Sequence, residues 1–313
     1  MIDYLIKRIF SMLITMFIIM TITFVLMHLV PGGPFTDEDR ALSPIVEKAL
    51  MEKYRLNDPI WKQYVEYIKG VLKFDLGPSY AYTGRSVTEL ISEGFPITAT
   101  LAVISLILIV TVSTPLGITS ALQHNKFMDR LIMVFSTLGV TIPVFVIATL
   151  LLYVFSYKLR LLPTFGANNL KSYILPSTSL ALGSIAYITR LNRSSMLEVL
   201  EQDYIRTARA KGVKKYKVVY KHALKNATIP TVTVLGSRMV TLLTGSFIVE
   251  KIFALPGIGR YFVQSISNRD YPTIMGVTIF FSFILLVMML VIDVSYGFLD
   301  PRVRIQKKRK GGI

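Results

Sequence analysis

Six long stretches with almost no ionisable residues constrain the fold of this chain more than any other feature of its sequence. Five contain no Asp, Glu, Lys or Arg, and the sixth contains only Arg238. A helix of about 20 apolar residues crosses a bilayer core about 30 Å thick, so the sequence predicts an all-α membrane protein with six transmembrane helices. The stretches are residues 9–36, 94–125, 131–157, 172–189, 226–249 and 271–292.

The composition excludes several other classes of protein. Hydrophobic residues make up 52% of the 313 residues and charged residues only 17%, against about 25% charged in a typical soluble domain. A soluble enzyme and a disordered chain are therefore excluded. The chain has no cysteine, which excludes a secreted disulfide scaffold, a zinc–thiolate cluster and a cysteine nucleophile.

The net charge of +16 predicts a topology rather than a nucleic-acid site, because no basic domain with interleaved aromatic residues accompanies it. With both termini in the cytoplasm, the inside segments carry a net +13 and the outside segments a net +2, as the positive-inside rule requires. We therefore expect a multi-pass protein of the cell membrane. The inside segments are 1–8, 123–130, 190–225 and 293–313, and the outside segments are 31–93, 158–171 and 250–270.

The chain divides into four expected regions. Its first apolar run, Ile9 to Val30, is longer than the core of a signal peptide, so it is interpreted as a retained transmembrane helix. The basic tail with Lys307, Lys308, Arg309 and Lys310 is expected to contact anionic lipid. The regions are 1–30 (N-terminal segment and first transmembrane helix), 31–95 (extracytoplasmic insertion), 96–300 (core of five transmembrane helices with a cytoplasmic loop at 190–227) and 301–313 (basic cytoplasmic tail).

The insertion at 31–95 has its own helix signals. Ser86 and Glu89 have the spacing of a capping box, and the helix that they open is expected to stop at Gly94. A second helix is predicted from apolar residues at helical spacing, which leaves two interpretations open: a cap on the outer membrane surface or a docking face for an external partner. These residues are Ile60, Trp61, Tyr64, Val65, Ile68 and Leu72.

The segment between the fourth and fifth stretches, Arg190–Lys225, is polar and patterned. It has 10 basic and 3 acidic residues, and it predicts two short helices, the first of which ends at Gly212 because glycine suits the position after a helix end. A rigid helix here would transmit movement to a cytosolic partner. The pattern is equally typical of a basic amphipathic segment on anionic lipid.

This segment resembles the EAA loop of ATP-binding cassette (ABC) importer permeases, in which an Ala stands four residues before a Gly. Ala208 and Gly212 have that spacing. Arg206 and Lys225 depart from the general pattern at the Glu and late Pro positions, and both changes are typical of the peptide/nickel branch. Motifs at 29–35, 243–259, 268–272 and 293–302 also resemble this branch, and they are most similar to the OppB-type subunit of oligopeptide permeases, especially those of Gram-positive bacteria.

The resemblance implies an importer subunit of the type I (MetI-like) permease fold. Such a subunit pairs with a second homologous permease to form a heterodimer, and two cytosolic ATPases and an extracytoplasmic peptide-binding lipoprotein complete the importer of oligopeptides. It also implies that one short helix couples this chain to an ATPase. The implied coupling residues are Asp203, Tyr204, Arg206, Thr207, Ala208, Arg209, Ala210, Lys211 and Gly212.

No residues for ATP chemistry or metal binding are evident in the sequence. A P-loop requires G-x-x-x-x-G-K-[ST], which is absent, and His28, His124 and His222 are scattered without a metal-binding spacing. We therefore expect no cofactor, no metal site and no enzyme activity in this chain, with ATP and Mg²⁺ held by the partner subunits.

Two ionisable residues in or beside the fifth stretch are candidates for the substrate pathway. Arg238 lies in the middle of the stretch, where a charge is costly unless it faces water or a partner; a place in the cavity and a pairing with the second permease both remain open. Glu250 lies at the expected outer end of the stretch, where it either contributes to a gate or belongs to a turn that does not contact substrate.

Other functions remain as alternatives. Importers of dipeptides, nickel chelates and metallophores share the motifs of this branch. An ion-coupled secondary transporter would carry ionisable residues in several spans, and only Arg238 is present in the six stretches. An intramembrane enzyme would require catalytic residues that this sequence lacks.

Overall fold

The computed structural model describes residues 2–30, 34–35, 44–167 and 169–299. Within these residues every regular element is helical, as expected. Residues 31–33 and the basic tail at 301–313 lie outside the described residues. The α-helices are α1 (Ile2–Leu29), α2 (Pro44–Lys53), α3 (Ile60–Leu72), α4 (Val87–Leu122), α5 (Phe127–Thr141), α6 (Val144–Leu151), α7 (Ile174–Leu200), α8 (Asp203–Ala210), α9 (Lys215–Lys217), α10 (Leu224–Ala227), α11 (Ile229–Gly245), α12 (Phe247–Ile252), α13 (Ile258–Ser267) and α14 (Tyr271–Leu299).

Three shorter helical segments join these elements. A π-helical segment, Leu152–Lys158, continues α6, and another, Val218–Ala223, joins α9 to α10. A single 3₁₀ turn, Leu170–Tyr173, precedes α7. The second helical run expected after Gly212 is therefore present, with a π-helical centre.

Four continuous segments are long and apolar enough to cross a membrane: Leu5–Leu29, Val87–Leu122, Ile229–Ile252 and Tyr271–Ile292. The third expected span is not one straight helix, because α5 and α6 are bent by 106° at Ile142 and Pro143. The pyrrolidine ring removes one backbone donor and restricts the residue before it, which breaks the helix there. Counting this bent pair as one span gives five candidates among the described residues.

The fourth expected span, 172–189, lies within α7, which is not one of those candidates. Eleven of the 27 residues of α7 are buried, and several of these are serine or threonine. A helix covered by other helices does not need an apolar surface for lipid, so its sequence is more polar than that of a lipid-facing span. The count of six spans therefore stays a prediction.

Helix α4 differs from the expectation that a short helix ends at Gly94. The capping box at its start is confirmed, since Ser86 Oγ accepts from Glu89 N and Glu89 Oε2 accepts from Ser86 N, both at 3.1 Å. The helix then continues through Gly94 to Leu122. Gly94 serves close packing instead, because a Cβ there would lie 2.8 Å from the backbone nitrogen of Ile258.

The chain forms two compact units, of which the first comprises Met1–Thr98 and Pro256–Val287. Its best-connected polar residue is the buried Asp270, which precedes α14. The carboxylate accepts bonds from the Ser79 and Thr273 hydroxyls and from the Tyr80 backbone nitrogen, the last at 3.0 Å. Asp270 therefore caps α14 and holds the loop before α4, and burial followed by this carboxylate raises the pKa of the Tyr80 phenol above its usual range.

The second unit comprises Ala99–Leu255 and Met288–Ile313, and α7 packs against α5, α6 and α11 within it. An ion pair between the buried Asp129 and the partly exposed Arg193 joins the start of α5 to α7. Arg193 Nε and Nη2 each lie 2.7 Å from a different carboxylate oxygen of Asp129, which is 2% exposed. The backbone nitrogen of Asn125 donates to the same carboxylate at 2.8 Å, so this group fixes the turn between α4 and α5.

Candidate functional site

Helix α8 is short, and its place in the fold depends on packing. Isolated helices of fewer than about 12 residues are marginal in water, and α8 has eight residues. Asp203 lies in its first turn and Arg209 in its last turn, which suits the helix dipole at both ends. This stabilisation by the helix dipole is small, so the contacts of α8 with the rest of the protein determine whether the helix is ordered.

Gly212 ends α8 in the way that the sequence predicts. Its φ angle is +75°, in the left-handed region where glycine is favoured. The Gly212 nitrogen donates to the Arg209 carbonyl at 3.0 Å, and the Val213 nitrogen donates to the Ala208 carbonyl at 3.2 Å. This pair of bonds is a Schellman motif, and it directs the chain from α8 into α9.

One face of α8 is anchored in a buried apolar cluster, here called the anchor cluster. Ile205 is fully buried in it, and Ala208 and Val213 pack against it. The cluster also includes the last turns of α4 and the second half of α7, so α8 is attached to two long helices of its unit. The buried members of the anchor cluster are Ile118, Ala121, Met196, Ile205, Val218, Val219, Ala223 and Ala227.

The other face of α8 is open. Eight of the nine coupling residues implied by the sequence are exposed, and Ala208 is half-buried against the anchor cluster. The side chain of Asp203 is 99% exposed and that of Arg206 is 72% exposed. The structure therefore gathers these residues on one exposed polar surface, comprising Asp203, Tyr204, Arg206, Thr207, Arg209, Ala210, Lys211 and Gly212.

Two contributors to this surface are not evident from the motif. Ile205 is the only fully buried residue of α8, and helical periodicity with its apolar side chain is the signal that could have identified it as the anchor. The amide of Asn226 donates to the Tyr204 hydroxyl at 2.8 Å. That bond joins residues 22 positions apart, so no local pattern indicates it.

Arg238 lines a cavity in the second unit. The cavity has a volume of about 230 Å³, and its wall combines small and polar residues of α7, among them Ser179, Gly183 and Ser184, with Tyr187 and Arg238. The guanidinium carbon of Arg238 lies 4.6 Å from the centroid of the Tyr187 ring, a cation–π contact. No carboxylate among the described residues forms an ion pair with Arg238, so the Tyr187 ring is the contact that the structure gives its charge.

The break between α5 and α6 contributes to the same cavity. Gly139, Val140, Ile142 and Val144 belong to its wall. Because Pro143 has no N–H, the carbonyl of Gly139 lacks the usual backbone donor four residues later. Irregular backbone is tolerated at membrane depth where it lines a polar cavity or is covered by protein, which is where the structure places it.

Glu250 is located inside the protein. It is fully buried, and the Ser246 hydroxyl donates to its Oε1 at 2.7 Å, across one turn at the start of α12. It is not part of the cavity wall around Arg238. The structure thus does not bring the two pathway candidates of the sequence together.

No group of three or more His, Asp or Glu residues suited to a metal ion occurs in the part of the chain that the structure describes.

Comparisons with known proteins assign the chain to a family. Residues 113–305 match the family described as binding-protein-dependent transport system inner membrane component, and residues 1–102 match the N-terminal family of the same kind of component. The first match covers α5 to α14, and thus includes α8 and Arg238.

Curated relatives match nearly the whole chain. The dipeptide transport system permease protein DppB of Bacillus subtilis is 46% identical over 305 residues, which is 97% of this chain and 99% of that protein. The oligopeptide transport system permease protein OppB of Salmonella typhimurium is 41% identical over 306 residues, which is 97% of this chain and all of that protein.

Solved structures support the fold. An amino acid ABC transporter has a TM-score of 0.52 at 20% identity, covering 68% of this chain and 95% of that chain. The MetNI methionine ABC transporter in an inward-facing conformation has a TM-score of 0.54 at 15% identity, covering 67% of this chain and 96% of that chain.

Proposed function

This chain belongs to the family of binding-protein-dependent transport system inner membrane components, and it is an ABC importer permease of the peptide type; on that premise we propose that it is the translocating subunit of an oligopeptide importer. It pairs with a second homologous permease, receives peptide from an extracytoplasmic lipoprotein, and depends on two cytosolic ATPases for energy. It lies in the plasma membrane with both termini in the cytoplasm. ATP hydrolysis occurs on the partner subunits rather than in this chain.

The observation that best supports this proposal is that α8 is buried on one face and exposed on the other. A helix that transmits force must be bound firmly on one side and accessible on the other. Ile205 anchors α8 to the long helices α4 and α7, while Arg206, Thr207 and Arg209 remain exposed. We expect the exposed surface to dock on an ATPase, so that closure of the ATPases turns α4 and α7 as a body.

The cargo is proposed to be an oligopeptide, with a dipeptide as the alternative that the relatives also favour. DppB of Bacillus subtilis is named for dipeptide transport, and OppB of Salmonella typhimurium for oligopeptide transport. Both cargoes present a carboxylate, an ammonium group and peptide bonds. Nickel chelates and metallophores are the remaining alternatives within the branch.

The function is tested in proteoliposomes that contain this chain, its second permease, both ATPases and the binding lipoprotein. We expect peptides to stimulate ATP hydrolysis and to accumulate inside the vesicles. Peptides of increasing length, compared with a nickel chelate, identify the cargo. Nickel uptake without peptide uptake would contradict the peptide assignment, and ATP-independent accumulation would contradict the ABC mechanism.

Within this function we propose that Arg238 contacts the carboxylate of the passing peptide. Guanidinium groups pair with carboxylates through two parallel hydrogen bonds, and the ring of Tyr187 holds one face of the guanidinium. The cavity has a volume of about 230 Å³, which is room for one end of a peptide. We propose a cargo contact for Glu250 only in a state in which α12 moves, because that side chain is buried.

Arg238→Gln is expected to lower the uptake of peptides with a free carboxylate by about tenfold, because a hydrogen bond to a charged group contributes about 1.5–3 kcal/mol. Uptake of the same peptides with amidated C-termini should change much less. Arg238→Lys keeps the positive charge but loses the planar guanidinium. Its uptake of peptides with a free carboxylate should lie between that of the wild type and that of Arg238→Gln.

The matched control is Arg190→Gln, which removes an exposed positive charge of α7 outside the cavity wall. The measurement is the initial rate of uptake in proteoliposomes with equal amounts of assembled complex. If Arg238→Gln took up both the free and the amidated peptides as fast as the wild type does, Arg238 would not be part of the substrate pathway.

A further inference from the structure

Helix α3 has three distinct faces, and only one of them is covered by other described residues of the chain. Residues four and seven positions apart lie on one side of a helix. By this rule Trp61, Val65 and Leu72 form one stripe, and Lys62, Glu66 and Lys69 form the next stripe around the helix. Gln63, Tyr64 and Tyr67 form the third face.

The third face packs against α1. The hydroxyls of Tyr64 and Thr21 are 2.7 Å apart, and the rings of Tyr64 and Tyr67 lie 5.1 and 5.6 Å from that of Phe24. Gln63 Oε1 lies 3.3 Å from His28 Nε2. Thr21 is eight residues before the end of α1 at Leu29, about 12 Å along the helix axis at 1.5 Å per residue.

That contact fixes the level of α3 relative to the bilayer. The apolar segment Leu5–Leu29 of α1 is a candidate membrane span, and only 6% of its most apolar window is buried inside the protein. The contacts run from Thr21 to His28, in the last turn of α1. Helix α3 therefore lies beside the outer part of that segment, within about 12 Å of its end.

The two remaining faces of α3 suit that position. The side chains of the apolar stripe are exposed although they are large: Trp61 is 69% exposed, Val65 40% and Leu72 75%. The charged stripe is internally paired, with Lys62 Nζ 3.0 Å from Asp58 and Lys69 Nζ 3.4 Å from Glu66. The apolar stripe lies between the face that contacts α1 and the charged stripe.

We propose that α3 is an interfacial helix that lies along the bilayer surface, with the Trp61–Val65–Leu72 stripe inserted among the acyl chains and the Lys62–Glu66–Lys69 stripe in water. The occupant of the apolar stripe is phospholipid. The stripe adjoins the face of α3 that packs on α1, most of whose apolar side chains are also exposed, and tryptophan is enriched at membrane interfaces. This inference does not depend on the proposed transport function.

A test follows directly from the composition, because Trp61 is the single tryptophan of the chain. The purified full-length chain is reconstituted in phosphatidylcholine vesicles that carry bromine at carbons six and seven of one acyl chain. Trp61 fluorescence should be quenched about threefold more by the bromolipid than by iodide added on both sides of the membrane, as expected for an inserted interfacial side chain.

Two matched variants move the tryptophan around the helix. Trp61→Phe with Leu72→Trp keeps it on the apolar stripe and should retain the bromolipid quenching. Trp61→Phe with Lys69→Trp moves it to the charged stripe and should reverse the preference in favour of iodide.

Two results would overturn the inference. One is stronger iodide than bromolipid quenching for both Trp61 and the Leu72→Trp variant. The other is protection of Trp61 from iodide that appears only when the extracytoplasmic binding protein is added, because the stripe would then be a protein-docking surface.

Discussion

Gly212→Pro should abolish the coupling between ATP hydrolysis and peptide uptake while leaving the chain inserted in the membrane. Proline fixes φ near −65°, whereas Gly212 has φ of +75° and donates its N–H to Arg209. The substitution therefore removes the Schellman motif and misdirects α8. We expect uptake to fall by about tenfold or more, since a comparable backbone conflict costs about 3 kcal/mol.

Two substitutions at the same position separate backbone geometry from other effects. Gly212→Asn keeps the N–H and tolerates the left-handed region, so it should stay close to the wild type. Gly212→Val keeps the N–H but is strained by about 1–2 kcal/mol, so it should be intermediate. The measurement is the number of ATP molecules hydrolysed per peptide taken up.

Gly84→Pro is the control for a general effect of proline at a left-handed glycine. Gly84 has φ of +82° and lies between α3 and α4, so this variant should keep the wild-type ratio of hydrolysis to uptake. A normal ratio in Gly212→Pro, at normal expression, would show that the end of α8 does not matter for coupling.

The second large effect is expected from the ion pair of the buried Asp129 and the partly exposed Arg193. Removing one member leaves the other charged and without its partner, which costs about 3–5 kcal/mol for buried pairs. Asp129→Leu and Arg193→Met should each lower the thermal stability of the purified protein, by about 10 °C at 2–4 °C per kcal/mol. The measurement is the midpoint of loss of the monodisperse fraction on heating in detergent.

The double variant is the matched control. Replacing a buried ion pair by apolar residues is often far less harmful than breaking it, so Asp129→Leu with Arg193→Met should be more stable than Asp129→Leu alone. Additive effects of the two substitutions, each below about 0.5 kcal/mol, would mean that the pair is energetically unimportant.

The features that depend on neighbouring residues could be predicted from the sequence. The capping box of Ser86 and Glu89, the amphipathic helix α3 and the helix end at Gly212 are all confirmed, because a few adjacent residues determine each of them. The family resemblance of the loop around Ala208 and Gly212 is confirmed by the family match and by the relatives. Which residues perform the coupling stays a prediction.

The features that depend on distant residues could not be predicted. Gly94 was expected to end a helix, but its role is to admit the backbone of Ile258, which is 164 positions away. The sequence shows Asp129 only as one acidic residue of a short loop and indicates no partner for it. In the structure it binds Arg193, which is 64 positions further along the chain. Pro143 within the third stretch does predict a kink, and the structure confirms it. A charge-free stretch indicates length but not burial, so the burial of α7 could not be predicted.

The central claim, that α8 is the mechanical contact with an ATPase, is tested most directly by site-specific cross-linking. The chain has no cysteine, so Thr207→Cys introduces a unique thiol on the exposed face of α8 and Lys62→Cys introduces one on α3 as a control. In the assembled importer we expect Thr207→Cys, but not Lys62→Cys, to form a short cross-link to the ATPase subunit, and uptake to return when a cleavable cross-linker is reduced. A Thr207→Cys thiol that stays fully reactive towards a soluble maleimide and forms no cross-link to an ATPase in any nucleotide state would contradict the claim.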